Sequence, residues 1–421
     1  MSTTAEASSG FAPLSPDYLR DPTPTLKRLQ RESPVFHYAP LDCWVVTRYK
    51  DLTEALKDVD RFSSRATGFI RPPADLAPLV PDLSVEEIII TIDPPDHSRH
   101  RNAMAQGFLA AVIMRMGDVV RAHANHLIDG FAHRGRIDVM ADYAVPLTMN
   151  TIVEILGVPP ERKPDYRQWS EDFFFLLTPR VLGAANDTEL RVVPPEELHA
   201  RWSRLADANR FLSDYVDLRQ REPGDDVISA MLLAHEADGT PSIGRSAVIR
   251  HLISLIGAGH DTTANTIAHL VQNFSDWPDQ RDLIIADPSL TANAVEEGLR
   301  MRGSVPGNFR VTTVDVEMSG VTIPKNSLVY LLSAAGGHDD EVFPQSERFD
   351  VRRVNASRHL AFGFGRHSCI GNGLARLQAR IAIQELYRRL PTLRVVPGFQ
   401  RHYLPLMTVT GLQGLDVEWS N

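Results

Sequence analysis

The stretch Phe362-Gly363-Phe364-Gly365-Arg366-His367-Ser368-Cys369-Ile370-Gly371 decides the reading of this chain. It stands between an irregular segment, Ala335 to His359, and a strongly helical one, Ile370 to Leu390. Gly363, Gly365 and Gly371 permit tight turns and let the backbone approach a flat ligand closely. Cys369 sits at the mouth of the helix, where free N–H groups and the helix dipole favour a thiolate over a thiol. N–H groups after the cysteine can hydrogen-bond its sulfur and tune its electron donation. A lone cysteine in an apolar setting is ordinarily a small buried residue; the glycines and the helix start argue for a ligand instead. A dinucleotide-binding loop is set aside, because Ser368 replaces the third glycine of G-x-G-x-x-G and no clear strand precedes it.

Working outward, the chain has 421 residues, 43% apolar and 23% charged, an ordinary globular composition with length for a large core. No linker or internal repeat divides it. Residues 1–15 read as a disordered tail, and 16–421 as one domain. A net charge of −9 argues against general nucleic-acid binding. The two cysteines, Cys43 and Cys369, exclude a disulfide framework and a four-cysteine iron–sulfur cluster, and fit a reducing cytosol. The first 25 residues have no signal-peptide core, and nothing later forms a span of about 20 apolar residues. A cytoplasmic protein without a membrane anchor is expected.

Periodicity predicts helices at Leu26–Arg31 and Asp51–Val59, then from His97 to about Ala286, broken at Pro159-Pro160, Pro179 and Pro194-Pro195. Leu290–Arg302 and Ile370–Leu390 follow. Strands are expected at Val35–Tyr38 and Trp44–Thr47, with short ones within Arg310–Leu332 and Leu393–Trp419. Ser63 to Pro81 reads as a Pro-rich loop. The fold class is mainly α with small β-sheets.

Ser246 to Asn273 reads as one long helix whose middle is Gly257-Ala258-Gly259-His260-Asp261-Thr262-Thr263. Each interior glycine costs about 1 kcal/mol relative to alanine, so the pair implies a need for thinness or a kink. Thr262 lies three residues after Gly259, and its hydroxyl can reach the gap left there. A threonine bonded to a carbonyl one turn earlier bends a helix further.

The run from Phe362 to Arg376 resembles the haem-binding signature of the cytochrome P-450 family, matching at Phe362, Gly363, Gly365, His367, Cys369, Gly371, Leu374, Ala375 and Arg376. Ala258, Gly259, Asp261, Thr262 and Thr263 match that family's central helix, and the resemblance runs from about Asp17 to Trp419. It implies a single large domain of that fold, with Cys369 as axial ligand to the iron of haem b. Ala258, Phe362 and Gly371 would lie against the haem. His97 and Arg101, four apart on one helix face, would bind the propionates with Arg310 and His367. Asp261 would supply protons and Thr262 would orient a water toward dioxygen. Glu297 and Arg300 would form a buried structural pair, with Arg348 as the third partner and Arg353 as the other candidate.

The implied activity is a monooxygenase (an oxidoreductase) that inserts one oxygen atom of O2 into a hydrophobic small molecule, with hydroxylation the expected outcome. Electrons would pass from NAD(P)H through a reductase and a separate ferredoxin. Between Val351 and Gln384 lie Arg352, Arg353, Arg358, Arg366, Arg376 and Arg380, with no Asp, Glu or Lys. In an acidic chain this local reversal of sign could steer an acidic ferredoxin to the Cys369 face. Pocket walls are expected from Phe69 and Ile89 in the Phe69–Ile90 loop, Phe174, Leu255, Val305 before Phe309, and Leu406 in Leu404–Met407. Terpenoid, steroid, aromatic and polyketide substrates are all compatible. A peroxide-driven enzyme and a haem sensor without turnover are rival readings, and neither requires Asp261-Thr262. Two departures from the family pattern stand out: Gly337-His338-Asp339-Asp340 replaces the usual Asn-Arg-Asp-Pro, and Ser304 stands where proline is usual.

Overall fold

A helix buried on every side needs neighbours on every side, and the longest helix of this protein sets the architecture in that way. The computed structural model describes residues 10–80, 88–179, 194–404 and 406–420. In chain order the helices are α1 (Pro16–Arg20), α2 (Thr23–Glu32), α3 (Tyr49–Lys57), α4 (Asp96–Ala105), α5 (Ala110–Phe131), α6 (Val145–Leu156) and α7 (Lys163–Leu176). They continue as α8 (Pro195–Arg221), α9 (Val227–Leu232), α10 (Arg245–Asp276), α11 (Pro278–Ala286), α12 (Thr291–Arg302), α13 (Ser333–Gly337) and α14 (Asn372–Arg389). Helix α10 runs through the centre and packs against α6, α7, α8, α12 and α14. Its two interior glycines provide thinness: a Cβ on Gly257 would meet Phe173 Cδ1 of α7 at 2.8 Å, and one on Gly259 would meet Ile152 Cδ1 of α6 at 2.5 Å.

Among the described residues the strands form four separate small sheets. β1 (Val35–Tyr38), β2 (Cys43–Val46), β3 (Phe62–Ser63), β4 (Thr67–Phe69), β5 (Arg136–Asp138) and β6 (Leu177–Pro179) come first. β7 (Asn308–Thr312), β8 (Val316–Met318), β9 (Val321–Ile323), β10 (Leu328–Leu331), β11 (Arg394–Val395) and β12 (Asp416–Glu418) follow. The largest sheet has the order β1-β2-β10-β7-β3, with β10 parallel to β2 and the other pairs antiparallel. All four residues of β10 are buried, as expected for a strand covered on both faces. Among the described residues no single helix is long and apolar enough to cross a membrane.

The structure departs from the sequence expectations in several places, among them strand β5 inside the stretch expected to be helical. The expected tail is packed from Gly10 onward, because Phe11 is buried against the rings of Tyr18, Phe36 and Tyr38; residues 1–9 lie outside the described residues. The Pro-rich loop contains β4, which pairs with β6 in the register Phe69↔Leu177, where a helix break was expected. Each of these strands has three residues, too few to show alternation, and only their long-range pairing defines them. Helix α14 begins at Asn372 rather than Ile370.

Candidate functional site

The cysteine loop is shaped by its own backbone. Gly363 and Gly365 adopt φ of +69° and +71°, the left-handed region, and a Cβ on Gly365 would meet Leu56 O at 2.8 Å. The Cys369 N–H donates to Phe362 O at 2.8 Å, and the Ser368 N–H donates to Gly365 O at 3.2 Å. These bonds close a tight loop that presents Cys369 as an exposed residue. Surrounding protein pushes the Cys369 thiol up from its ordinary value, while the Gly371 N–H and the charges of Arg101 and Arg376 pull it down without cancelling the rise. The helix start therefore does not by itself secure a thiolate, contrary to the sequence expectation. Helix α14 opens three residues further on, which leaves the Gly371 N–H as the helix-entry donor acting on the sulfur. A bound metal cation removes the thiol proton outright.

Four bases gather beside this loop. Both ring nitrogens of His97 are buried without a partner, and its ring lies 4.0 Å from that of His367, centroid to centroid. Burial, with the charges of Arg101 and Arg366, lowers His97 to about 4. Burial, with Arg310, His97 and Arg101, lowers His367 to about 2; the His367 Nε2 lies 2.9 Å from Ser64 Oγ. Arg310 is buried, donates to the carbonyl of its neighbour Phe309 at 2.7 Å, and is brought down to about 10 by burial. Arg101 reaches Ser368 Oγ at 3.4 Å and is likewise lowered by burial. The nearby carboxylate, Asp93, is committed to Ser63 Oγ at 2.5 Å and to the Ser64 N–H at 2.8 Å. Four bases lowered by burial, the two histidines further by the neighbouring cations, make a receptor for anionic groups. With a thiol beside them, the set fits a flat ligand bearing carboxylates and a metal, as haem does.

The opposite wall is α10. Its residues from Ala247 to Ile249, from His251 to Gly257 and from Thr263 to Phe274 are buried, whereas Ala258 is exposed and Gly259, Asp261 and Thr262 are partly so. An exposed alanine halfway along a core helix marks open space against that face. The Thr262 hydroxyl donates to Ala258 O at 2.9 Å, one turn earlier. The Asp261 carboxylate accepts from Ser170 Oγ of α7 at 2.8 Å and lies 3.0 Å from His260 Nε2. Burial raises the Asp261 carboxyl, but His260, Ser170 and Arg167 outweigh it, so the group sits below its ordinary value and is anionic at neutral pH. Sequence reasoning missed Ser170. It lies 91 residues away in the chain, and nothing local marks it.

Beneath the cysteine loop, Glu297 and Arg300 of α12 are both buried and joined by two hydrogen bonds of 2.7 and 2.9 Å. Arg353 supplies the third charged side chain, its Nε 3.0 and 3.1 Å from the two Glu297 oxygens. This corrects the choice of Arg348, whose side chain is exposed and whose carbonyl accepts from Arg300 and from Arg353. The turn that closes with Arg353 N–H on Asp350 O aims Arg353 at Glu297, which also accepts from the Asp350 N–H. Gly337 is explained as well: its carbonyl accepts from Arg300 Nη1 at 2.6 Å, and a side chain there would run into the Arg300 carbonyl. Beside this network Glu296 binds Arg376 through two bonds of 2.7 and 3.0 Å and meets His359 at 3.2 Å. Phe362 lies under the Arg376 guanidinium, 4.6 Å from it.

Of the expected pocket residues, Phe69, Ile89 and Leu255 share one apolar cluster with Phe173, and Phe174 packs against it. Phe69 meets Phe173 edge to face at 5.0 Å. Val305 is partly buried in the turn before β7. Leu406 stands apart from that cluster, lining a small pocket of about 50 Å³ with Tyr18, Met301 and Tyr330. The expected wall segments at 81–87 and 405 lie outside the described residues.

A cytochrome P450 family model matches residues 284–392, which carry the Glu297 network and the cysteine loop. The chain is 33% identical over 404 residues to vitamin D(3) 25-hydroxylase of Pseudonocardia autotrophica, covering 95% of this chain and 94% of that one. It is 31% identical over 399 residues to epothilone C/D epoxidase of Sorangium cellulosum, covering 93% and 92%. An intact type IV self-sufficient cytochrome P450 monooxygenase superposes with a TM-score of 0.87 at 29% identity, over 99% of this chain and 53% of that one. Likeness of this extent, in a chain whose cysteine loop lies beside four buried or partly buried bases, places it in the cytochrome P450 family, as a monooxygenase that uses haem and dioxygen with electrons from a donor.

Proposed function

We propose that this enzyme inserts one oxygen atom of dioxygen into a hydrophobic small molecule, hydroxylation foremost, and draws its electrons from a separate ferredoxin served by an NAD(P)H-dependent reductase. The observation that carries the reading is the bare step at Ala258 on an otherwise buried helix, with the Thr262 hydroxyl and the Asp261 carboxylate beside it. When bound, haem b supplies the binding, reduction and scission of dioxygen. Cys369, with the Gly371 N–H on its sulfur, would hold the haem iron, and His97, Arg101, Arg310 and His367 would neutralise the propionates. Thr262 holds a water by its hydroxyl, and Asp261 passes protons inward by releasing Ser170 or His260 in turn. Phe69, Ile89, Phe174 and Leu255 exclude solvent and receive an apolar substrate. A sterol-like or macrolide-like molecule is favoured by the names of the two relatives, one a hydroxylase and one an epoxidase.

The donor face is the one outside the cysteine loop. An open groove of about 590 Å³ there is lined by Tyr49, Lys57, Arg358, Phe362, Phe364 and Arg376, among others. Arg352, Arg358, Arg366 and Arg380 are exposed, whereas Arg353 and Arg376 are taken up by Glu297 and Glu296. Such a surface suits an acidic ferredoxin. The deciding experiment is the difference spectrum of reduced protein with and without carbon monoxide. A band near about 450 nm is expected for thiolate-ligated haem; folded protein without haem would overturn the reading.

A further inference from the structure

The departure at Ser304 has a consequence for the helix that carries Thr262. A proline at this place has neither a hydroxyl nor an N–H. Ser304 is 4% exposed, and its Oγ donates to the carbonyl of Thr262 at 2.7 Å. The same oxygen lies 3.2 Å from Thr266 Oγ1, which donates to that carbonyl at 2.9 Å. Two side-chain hydroxyls thus converge on one peptide oxygen of α10, the oxygen of the residue whose own hydroxyl faces the open step at Ala258. A helical carbonyl that accepts extra hydroxyls tilts away from its ladder and shifts the side chain attached to it. On its other side the Ser304 carbonyl accepts from the Thr410 N–H at 2.7 Å, in the loop that carries Leu406, and the next residue is the wall residue Val305.

We propose that Ser304 is a positioning residue for Thr262. Its hydroxyl joins the substrate wall at Val305 and the 406–412 loop to the peptide that aims the Thr262 hydroxyl. A molecule that presses on the wall is then felt at the proton-delivering residue through a single hydrogen bond. Loss of that bond turns Thr262 without removing it, so that more of the oxygen reduced by the donor's electrons would leave as hydrogen peroxide and less as water. This inference rests on the haem-thiolate reading above.

The test uses the full-length holoenzyme with a plant-type ferredoxin, its reductase and NADPH, with no organic substrate added. The quantity read is the ratio of hydrogen peroxide released to oxygen reduced to water. Ser304→Ala and Ser304→Pro are expected to raise that ratio about fivefold, the scale of one neutral hydrogen bond, and Ser304→Thr to keep the native ratio. The infrared C–O stretch of the carbon monoxide complex is to move in the first two variants and not in the third. The proline variant carries the residue usual at this place, so it decides the matter alone if the alanine variant does not fold. Folded Ala and Pro variants with the native ratio and the native C–O stretch would overturn the inference. A native protein without the band near about 450 nm would overturn it together with the reading it rests on, and that outcome is told apart by the native spectrum alone.

Discussion

The two walls of the site are held by opposite means. Around Cys369 the loop is closed by backbone hydrogen bonds, seated on the buried Glu297 and the partly buried Glu296, each with bidentate arginine contacts. Removing any one of these contacts leaves others in place. On α10 the chemistry hangs on hydroxyls: Ser170 on Asp261, Ser304 and Thr266 together on the Thr262 carbonyl, and Thr262 on Ala258. Redundant ionic bonds fix a ligand that must not move; hydroxyl bonds, worth about 1 kcal/mol between neutral groups and more where one reaches the Asp261 carboxylate, suit groups that exchange partners during a proton transfer.

That contrast can be broken in steps of decreasing size. Cys369→Ala is expected to abolish the band near about 450 nm in the carbon monoxide spectrum; a variant that keeps it would detach the loop from its assigned role. Glu297→Ala strands Arg300 and Arg353 without a buried partner, and should cost about 3–5 kcal/mol in a urea unfolding titration. Asp261→Asn should leave that titration nearly unchanged and slow turnover by about a hundredfold, with a larger solvent isotope effect; an unchanged rate would make Asp261 a structural anchor for α7.

Glu296 gives the pH arm. Burial works against its charge, but His359 and Arg376 overcome this and bring it from 4.5 to about 2. A depressed carboxyl contributes stability that is complete above its unfolded value and lost as pH falls through the folded one. The native protein should therefore lose on the order of 2 kcal/mol between about pH 4.5 and pH 2 through this group, a figure reduced for the partial exposure of Arg376. Glu296→Gln should flatten that part of the curve in unfolding measurements at stepped pH. Smallest of all, Arg348→Ala should change stability by less than about 0.5 kcal/mol; a loss as large as that of Arg353→Ala would reverse the assignment made from the geometry.

Long-period features were legible in the sequence and short-range aim was not. Ser246–Asn273 lies wholly within α10, because nearly thirty residues of helical spacing leave little room for error. Cys369, Asp261 and Glu297 stood out by residue type within a pattern. The choice between Arg348 and Arg353 depended on a turn over Asp350 to Arg353 that no periodicity encodes. Ser170 was hidden for another reason: a serine in a helix is unremarkable until the helix facing it is known. The pairing of β4 with β6 was hidden in the same way, since its two three-residue strands are more than a hundred residues apart.

Glu296 and Glu297 are neighbours on α12 with loyalties on different sides of it, and every arginine outside α12 that holds them is made later. Arg353 comes 56 residues after Glu297, and Arg376 comes 80 after Glu296. As the chain emerges from its N-terminus, α12 carries two carboxylates bound for the interior whose partners do not yet exist. Its docking against α10 is then opposed by uncompensated charge until the segment through Arg376 arrives. The order of synthesis thus places the seat of the cysteine loop among the last parts of the molecule to become stable, and a chain cut short before Arg376 should be recognisable as unfinished by that helix.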